Sequence, residues 1–180
     1  RFQFTILLVL LAGVVGGAVA VLAVPPGETA APAANTWWEE IGVGSATGRG
    51  ISNDLYSSYN PSLAVGPDGE PIVAWENWGG QSGRWEIHVR RWNGSAWVEM
   101  GAGSASGGGI SHASGDSVNA SLAVGPDGLP VVAWQDNSSG QREIYVRRWN
   151  GSAWVELGAG SASGDGISHT SDQAEQPALA

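Results

Sequence analysis

The chain contains no cysteine and no lysine, and all eight of its basic residues are arginine. Without cysteine, these 180 residues offer neither a disulfide framework nor a zinc–thiolate site. The formal net charge of −9 disfavours nucleic acid and anionic membrane surfaces as partners, because both need a basic face. No D-x-D-x-D-G ladder of calcium ligands occurs. We therefore expect no cofactor, with calcium bound by the loop residues Asp116, Asp165 and Asp172 as the alternative.

Glycine and tryptophan are abundant, and both occur in a sequence that is written twice. Ser62–Asn77 (SLAVGPDGEPIVAWEN) returns as Ser121–Asp136 (SLAVGPDGLPVVAWQD), 59 residues later. Glu86–Gly107 returns 57 residues later as Glu143–Gly164, with only His88→Tyr145 and Met100→Leu157 changed. A period of this length, rich in Gly and Trp, indicates an all-β repeat protein with one supersecondary unit per repeat.

Each repeat contains four predicted strands separated by turn sequences. Pro-Asp-Gly follows the first strand, and Asn-Gly between the third and fourth is a strong hairpin signal. The second strand is apolar enough for burial on both faces, whereas the third alternates, with Ile87 and Val89 on one side and Glu86 and His88 on the other. The predicted strands are Ser62–Gly66, Pro71–Glu76, Glu86–Trp92 and Ala96–Met100, then Ser121–Gly125, Pro130–Gln135, Glu143–Trp149 and Ala153–Leu157.

Four antiparallel strands followed by a long crossing to the next unit are typical of a β-propeller blade. We predict a propeller fragment over residues 37–180, with an outer strand at 37–44, blades at 61–103 and 120–160, and the start of a further blade at 176–180. The outer strand is expected to complete the last blade and close the ring, which removes exposed sheet edges. Because 176–180 (QPALA) matches the start of the earlier repeats, we expect further copies to follow.

An uncharged apolar run, residues 4–24, precedes an Ala/Pro-rich linker at 25–36. As a cleaved secretory signal it would use Ile6–Val15 as its apolar region and the small residues after it for cleavage. As a membrane anchor it would use the whole run, since about 20 apolar residues can span a bilayer. Both interpretations place the repeats outside the cytoplasm, and contact with a membrane is expected only through this segment if it is uncleaved.

Two repeated segments resemble those of bacterial extracellular β-propeller proteins of the kelch-like and sialidase-like kinds. They are AVGPDGxPxVAW (Ala64–Trp75, Ala123–Trp134) and RRWNGSAWVExG (Arg90–Gly101, Arg147–Gly158). The turn Asn93–Trp97 stands where sialidase-type propellers carry the Asp-box S-x-D-x-G-x-T-W, but Asn93 replaces an Asp and lies one residue closer to the Trp. The resemblance implies the architecture and leaves the activity open, because propellers serve as enzymes, lectins and scaffolds.

Candidate binding residues lie in the loops between strands two and three and between repeats, where length and chemistry vary. Trp78 and Trp85 suit sugar stacking, with hydrophobic capping of the sheet as the alternative. His112 and His169 occupy matching loop positions, where the preceding repeat has Asn53, and suit a sugar hydroxyl or a metal, or simply a satisfied loop histidine. The variable loops also contain two arginines, Arg84 and Arg142.

The paired arginines of the third strands have a structural explanation. A sialidase-type enzyme clamps a substrate carboxylate with arginines, for which bidentate geometry is suited. Identical pairs in each repeat instead favour pairing with nearby carboxylates. The pairs are Arg90/Arg91 and Arg147/Arg148, and the expected partners are Glu86, Glu99, Glu143 and Glu156.

Three function classes follow from these patterns. The first is a non-enzymatic extracellular propeller that binds a glycan or a surface partner, since repeated weak sites gain avidity. The second is a sialidase-like glycosidase with catalytic residues in other blades, which requires an asymmetric pocket. The third is a structural spacer at the cell surface. No catalytic residue and no metal ligand is assigned among these residues.

Overall fold

The computed structural model of this chain describes residues 39–79 and 83–180. These residues form eight β-strands in two four-stranded antiparallel sheets, and no helix occurs among them. The all-β prediction is therefore confirmed. The predicted signal or anchor (1–24) and the linker (25–36) lie outside the described residues. In the part of the chain that the structure describes, no helix is long and apolar enough to cross a membrane.

Within each sheet, the strands are hydrogen-bonded in chain order. Sheet one contains β1 (Ser58–Val65), β2 (Pro71–Gly79), β3 (Arg84–Trp92) and β4 (Trp97–Glu99). Sheet two contains β5 (Ser117–Val124), β6 (Pro130–Asp136), β7 (Glu143–Trp149) and β8 (Trp154–Glu156). The four predicted strands per repeat are all present.

Side chains stabilise the tight turns at one end of the sheets. The Asn93 side-chain oxygen accepts hydrogen bonds from the backbone N–H groups of Ser95 (3.0 Å) and Ala96 (2.9 Å), which closes the β3–β4 turn. Asp68, in the β1–β2 turn, forms an ion pair with Arg91 of β3. Sheet two repeats this pair with its own arginine and turn aspartate.

The first strand of each sheet begins earlier than predicted, at Ser58 and Ser117 rather than at Ser62 and Ser121. Each strand contains a β-bulge whose bulged asparagine has a positive φ, 47° at Asn60. In β1, Asn60-Pro61 has the composition of a turn, which hid the continuation of the strand, whereas β5 has Asn119-Ala120 at this position. The bulge lets the strand bend while its pairing with the second strand continues on both sides.

The predicted outer strand at 37–44 is absent over its described part, since residues 39–40 have no regular structure and residues 41–44 are in bends and turns. Gly42 and Gly44 have φ values of 84° and 86°, which an extended strand does not adopt. Gly101 and Gly103 repeat this geometry with φ values of 86° and 83°, and β4 accordingly ends at Glu99.

After β4, the chain returns along the outer edge of β3. The Val89 N–H donates to the Ser104 carbonyl (2.7 Å), and the Ile110 N–H donates to the Ile87 carbonyl (2.7 Å). The Ile87 N–H donates to the Ser111 hydroxyl at 2.9 Å. This irregular segment therefore satisfies the edge that the short β4 leaves uncovered.

The main core lies between the two sheets. Ile72, Ile87 and Val89 of sheet one pack in one cluster with Val132 and Trp134 of sheet two. Ile87 and Val89 therefore share one face of β3, as the alternation predicted, and this face packs against sheet two. The opposite face of sheet one packs its own smaller cluster, in which Val73 and Trp75 contact Ile51 of the preceding segment. Residues 71–77 of β2 are all buried, which confirms burial on both faces.

Hydrogen bonds between side chains and backbone groups join one repeat to the next. The Leu122 N–H donates to the Ser62 hydroxyl (3.0 Å), and the Leu179 N–H donates to the Ser121 hydroxyl (2.9 Å). The Trp154 indole N–H donates to the Met100 carbonyl at 2.9 Å, and Trp97 makes the matching bond to the preceding segment. Residues 176–180 thus contact sheet two in the way that β5 contacts sheet one.

Glu76 has the same linking role at the bulge. Its carboxylate accepts hydrogen bonds from the Asn60 side-chain amide (2.9 Å) and from the backbone N–H of Asn119 in the next sheet. Gln135 repeats this with the Asn119 amide (2.9 Å) and the Gln176 N–H (3.0 Å). The position therefore requires an acceptor oxygen and tolerates either a charged or a neutral side chain.

We expect Gly109→Ala to destabilise the fold more than Gly107→Ala. Both glycines have a positive φ (59° and 57°), which costs an alanine about 1 kcal/mol. At Gly109 an added Cβ would also lie 2.1 Å from the Ile87 carbonyl oxygen, whereas at Gly107 nothing lies within 4 Å. Urea unfolding followed by tryptophan fluorescence should give an extra loss of about 1–3 kcal/mol for Gly109→Ala. Equal losses would show that the segment relaxes away from β3.

We expect Glu76→Gln to retain stability and Glu76→Ala to lose it. Glutamine supplies the same acceptor, as Gln135 does in the second repeat. Alanine leaves the partly buried N–H of Asn119 without its acceptor, a loss of about 1–3 kcal/mol in the free energy of unfolding. Denaturant titration of the two variants beside the parent chain measures the difference. A glutamine variant as unstable as the alanine variant would contradict this account.

Candidate functional site

The connection between the second and third strands, which differs between the two repeats, lies at one end of the sheets. We call this end the loop end; it carries the start of β1, the end of β2 and the start of β3. The inter-sheet segment reaches it as well, because the Trp85 N–H donates to the Asp116 carboxylate at 3.0 Å. The opposite end holds the near-identical tight turns.

Three aromatic side chains form a cluster on one face of sheet one at the loop end. Trp78 and Trp85 are cross-strand partners, and their ring centroids lie 5.2 Å apart in an edge-to-face arrangement. The Tyr59 ring lies 5.5 Å from that of Trp85. Trp78 is 36% exposed and Tyr59 is 56% exposed. We call Tyr59, Trp78 and Trp85 the aromatic cluster; contacts among its own rings hold it in place while it presents apolar surface to solvent.

The second repeat lacks this cluster entirely. At the positions that match Tyr59, Trp78 and Trp85, it has Val118, Asn137 and Arg142. Capping of the sheet therefore does not require these aromatic residues, since sheet two forms without them. The predicted pair Trp78 and Trp85 is brought together by the structure, and Tyr59 is an addition that the sequence alone did not indicate.

The two candidate arginines do not join this cluster. Strand alternation places Arg84 on the face that carries Glu86, opposite to that of Trp85. Arg142 forms an ion pair with Glu175 at 2.5 Å, in which both side chains are nearly half exposed. The loop end therefore does not gather arginines in the manner of a carboxylate clamp.

The histidine positions have a backbone explanation. Asn53, His112 and His169 all adopt positive φ, with values of 48°, 44° and 45°. Asparagine and histidine are among the residues enriched in this left-handed conformation. His169 is exposed and lies 3.3 Å from Asp165 in an ion-pair geometry, whereas His112 lines a cleft on sheet one.

The third-strand arginines agree with the predicted pairing in part. Arg91 and Arg148 form ion pairs with the turn aspartates Asp68 and Asp127, not with the predicted glutamates. The Arg90 guanidinium donates to the Ile51 carbonyl at 2.9 Å. Arg90 and Arg147 lie directly opposite the predicted Glu99 and Glu156 on the paired strands and interact with them electrostatically. One arginine of each pair therefore faces its predicted glutamate, and the other forms an ion pair with a turn aspartate.

The cleft beside His112 has a volume of about 650 Å³. It lies on the face of sheet one opposite to the aromatic cluster, with Glu86 and His88 of β3 in its wall. The segment before β1 supplies Asp54 and Tyr56, and the segment after β4 closes the other side with residues 105–108. We call this space the His88 cleft.

Glu86 in the cleft wall is a buried carboxyl that anchors the returning segment. It accepts hydrogen bonds from the Ser111 hydroxyl (2.6 Å) and the Ala113 N–H (3.4 Å). Burial raises its pKa, and these hydrogen bonds oppose the rise. Glu143 has the same contacts with Ser168 and Thr170 in sheet two, which identifies the arrangement as part of the repeat.

No metal site is evident in residues 39–79 and 83–180, where no group of three or more His, Cys, Asp or Glu side chains lies close enough to hold an ion. Asp116, one of the residues considered for calcium, instead accepts the backbone hydrogen bond from Trp85.

The chain matches no protein family model, no curated protein sequence and no solved structure. Its function must therefore be argued from its own residues.

We expect Glu86→Gln to reduce the loss of stability that the parent chain shows as the pH rises above the usual carboxyl pKa. Because the folded-state pKa of Glu86 is raised, its contribution to stability is present below the unfolded pKa and is lost as the pH rises through the folded one. The variant should therefore gain stability relative to the parent chain between pH 4.5 and pH 7. Urea unfolding across this range measures the gain. A difference that is independent of pH would contradict the burial of an ionisable Glu86.

Proposed function

We propose that the two sheets are consecutive blades of a β-propeller, and that the chain is an extracellular, non-enzymatic binding protein that takes a carbohydrate at the aromatic cluster. Support for the architecture comes from the four strands in chain order, the packing of sheet on sheet and the hydrogen bonds that recur from repeat to repeat. Support for export comes from the apolar run of residues 4–24.

The observation that carries the binding proposal is the exposure of Trp78 and Tyr59 at a position where the other repeat has no aromatic residue. Apolar faces of sugar rings pack on aromatic rings, and Trp and Tyr supply rigid contact area at little entropic cost. An exposed group of large aromatic side chains marks a binding site more often than a structural need. The cluster lies at the loop end, where variation leaves the strands unchanged.

Two alternatives from the sequence receive less support from these residues. A sialidase-like hydrolase needs carboxylates placed asymmetrically, yet the buried Glu86 and Glu143 make the same contacts in both sheets. A purely structural spacer needs no aromatic surface, but sheet one presents one. The spacer is the outcome that the following experiment would favour if binding is absent.

We expect the chain to bind oligosaccharides on a glycan array through Trp78 and Trp85. Trp78→Ala and Trp85→Ala should each weaken the Kd for the best array ligand at least tenfold, about 1.4 kcal/mol, when measured by isothermal titration calorimetry. Leu157→Ala is the matched control, because Leu157 is a large exposed residue (57%) in the second repeat. Binding that survives in the double tryptophan variant, or no binding to any glycan, would overturn the proposal.

A further inference from the structure

We propose that the aromatic cluster belongs to a site that selects sugars with a free amino group, because carboxylates of both sheets face it. This inference rests on the carbohydrate binding proposed above and names the class of sugar. The site lies where the two sheets meet at the loop end, so the described residues supply both of its walls. The exposure of the cluster is therefore present with the neighbouring sheet in place.

The aromatic cluster forms the outer end of the core between the sheets. Strand alternation places Trp85 on the face of β3 that carries Ile87 and Val89, and this face packs against sheet two. Trp78 lies directly opposite Trp85 on β2, and Tyr59 contacts Trp85 from β1. A ligand on these rings therefore lies beside the segment that leads into β5.

Asp116 of that segment is held in place from two sides. One of its carboxylate oxygens accepts the Trp85 N–H at 3.0 Å, and its own N–H donates to the Asn137 side-chain oxygen at 2.7 Å. The preceding Gly115 is packed so closely that an added Cβ would lie 2.5 Å from the Ser138 nitrogen. The second carboxylate oxygen of Asp116 has no hydrogen-bond partner among the described residues, so it is an acceptor for a ligand.

Two further carboxylates face the same junction at the loop end. Glu76 precedes Trp78 by two residues on β2 and therefore shares its face. Asp136 shares the face of Trp134, which packs against sheet one. Both accept hydrogen bonds from uncharged donors, and none of the three carboxylates forms an ion pair in residues 39–79 and 83–180. The cluster therefore lies in a local excess of negative charge.

The matching positions one repeat later carry neither the rings nor these charges. The replacements are Gln135 for Glu76, Gln173 for Asp116 and Arg142 for Trp85. Gln135 makes the same hydrogen bonds at the bulge as Glu76, so the fold needs an acceptor there but no charge. Within the described part of the chain, negative charge and aromatic rings thus occur together at one junction, as a shared role in binding requires.

An amino sugar offers a partner for each of these groups. Its apolar ring face packs on an aromatic ring, and its ammonium group is attracted both to a ring face and to carboxylates. A sugar carboxylate would meet like charge in a partly buried setting, where screening is weak. Neither arginine at the loop end offsets this repulsion, since Arg84 lies on the opposite face and Arg142 pairs with Glu175. The expected order of affinity is free amino sugar, then neutral or N-acetylated sugar, then acidic sugar.

The experiment is isothermal titration calorimetry of the full chain in slightly acidic buffer, where sugar amino groups are protonated. The probes are triglucosamine, tri-N-acetylglucosamine, cellotriose and trigalacturonate. Triglucosamine should bind at least tenfold more tightly than its N-acetylated form, and trigalacturonate should bind most weakly. Asp116→Asn keeps the acceptor for the Trp85 N–H and should reduce the preference for triglucosamine about fivefold.

Asp165→Asn is the matched control. It also removes one exposed aspartate (53%), but from the segment that follows β8, and it should leave the preference unchanged. Asp116→Gln, which introduces the residue found at 173, is the second variant, and thermal unfolding checks that both Asp116 variants fold.

Equal affinity for the two glucosamine trimers, tight binding of trigalacturonate, or an unchanged preference in both Asp116 variants would overturn this inference and leave the proposed function standing. Absence of binding by all four probes would also overturn it, and the glycan array then decides the proposed function. Triglucosamine binding that survives in the double variant of Trp78 and Trp85 would overturn both.

Discussion

The architecture depends on strands that are apolar on both faces. Residues 71–77 of β2 are all buried, and β6 is nearly so. A sheet built on such a strand must be covered on each side. Each Å² of apolar surface that stays in contact with water forgoes about 25 cal/mol of the stabilising free energy that burial would provide. Sheet two covers one face of sheet one, and the preceding segment with Ile51 covers part of the other. The repeat is therefore a unit of packing that is completed only by its neighbours.

Repetition separates structural groups from candidate functional ones within a single chain. The Glu86–Ser111 contact, the Arg91–Asp68 ion pair and the positive φ at Asn53 all recur in the next repeat, so the fold itself explains them. The aromatic cluster, Asp116 and the charge of Glu76 do not recur. All of these lie at the loop end, which is where a repeat fold leaves its sequence free to vary.

The sequence predicted the strand number, the pairing order and the faces of β3, because duplicated segments with turn signals constrain the register directly. It did not predict the bulge at Asn60, since a left-handed asparagine before proline has the signature of a turn. Tyr59 was missed because its proximity to Trp85 arises from pairing across two strands.

The contacts between repeats use the backbone on one side. Ser62 and Glu76 accept hydrogen bonds from N–H groups of β5, and Trp154 donates to a main-chain carbonyl. Every residue except proline offers the same N–H, whatever its side chain. These hydrogen bonds therefore need no matching side chain in the adjoining copy, in contrast to the core that is packed between the sheets. Side chains at the loop end are therefore free to differ from one copy to the next, as Trp78 and Asn137 do, while the hydrogen bonds that join the copies are kept.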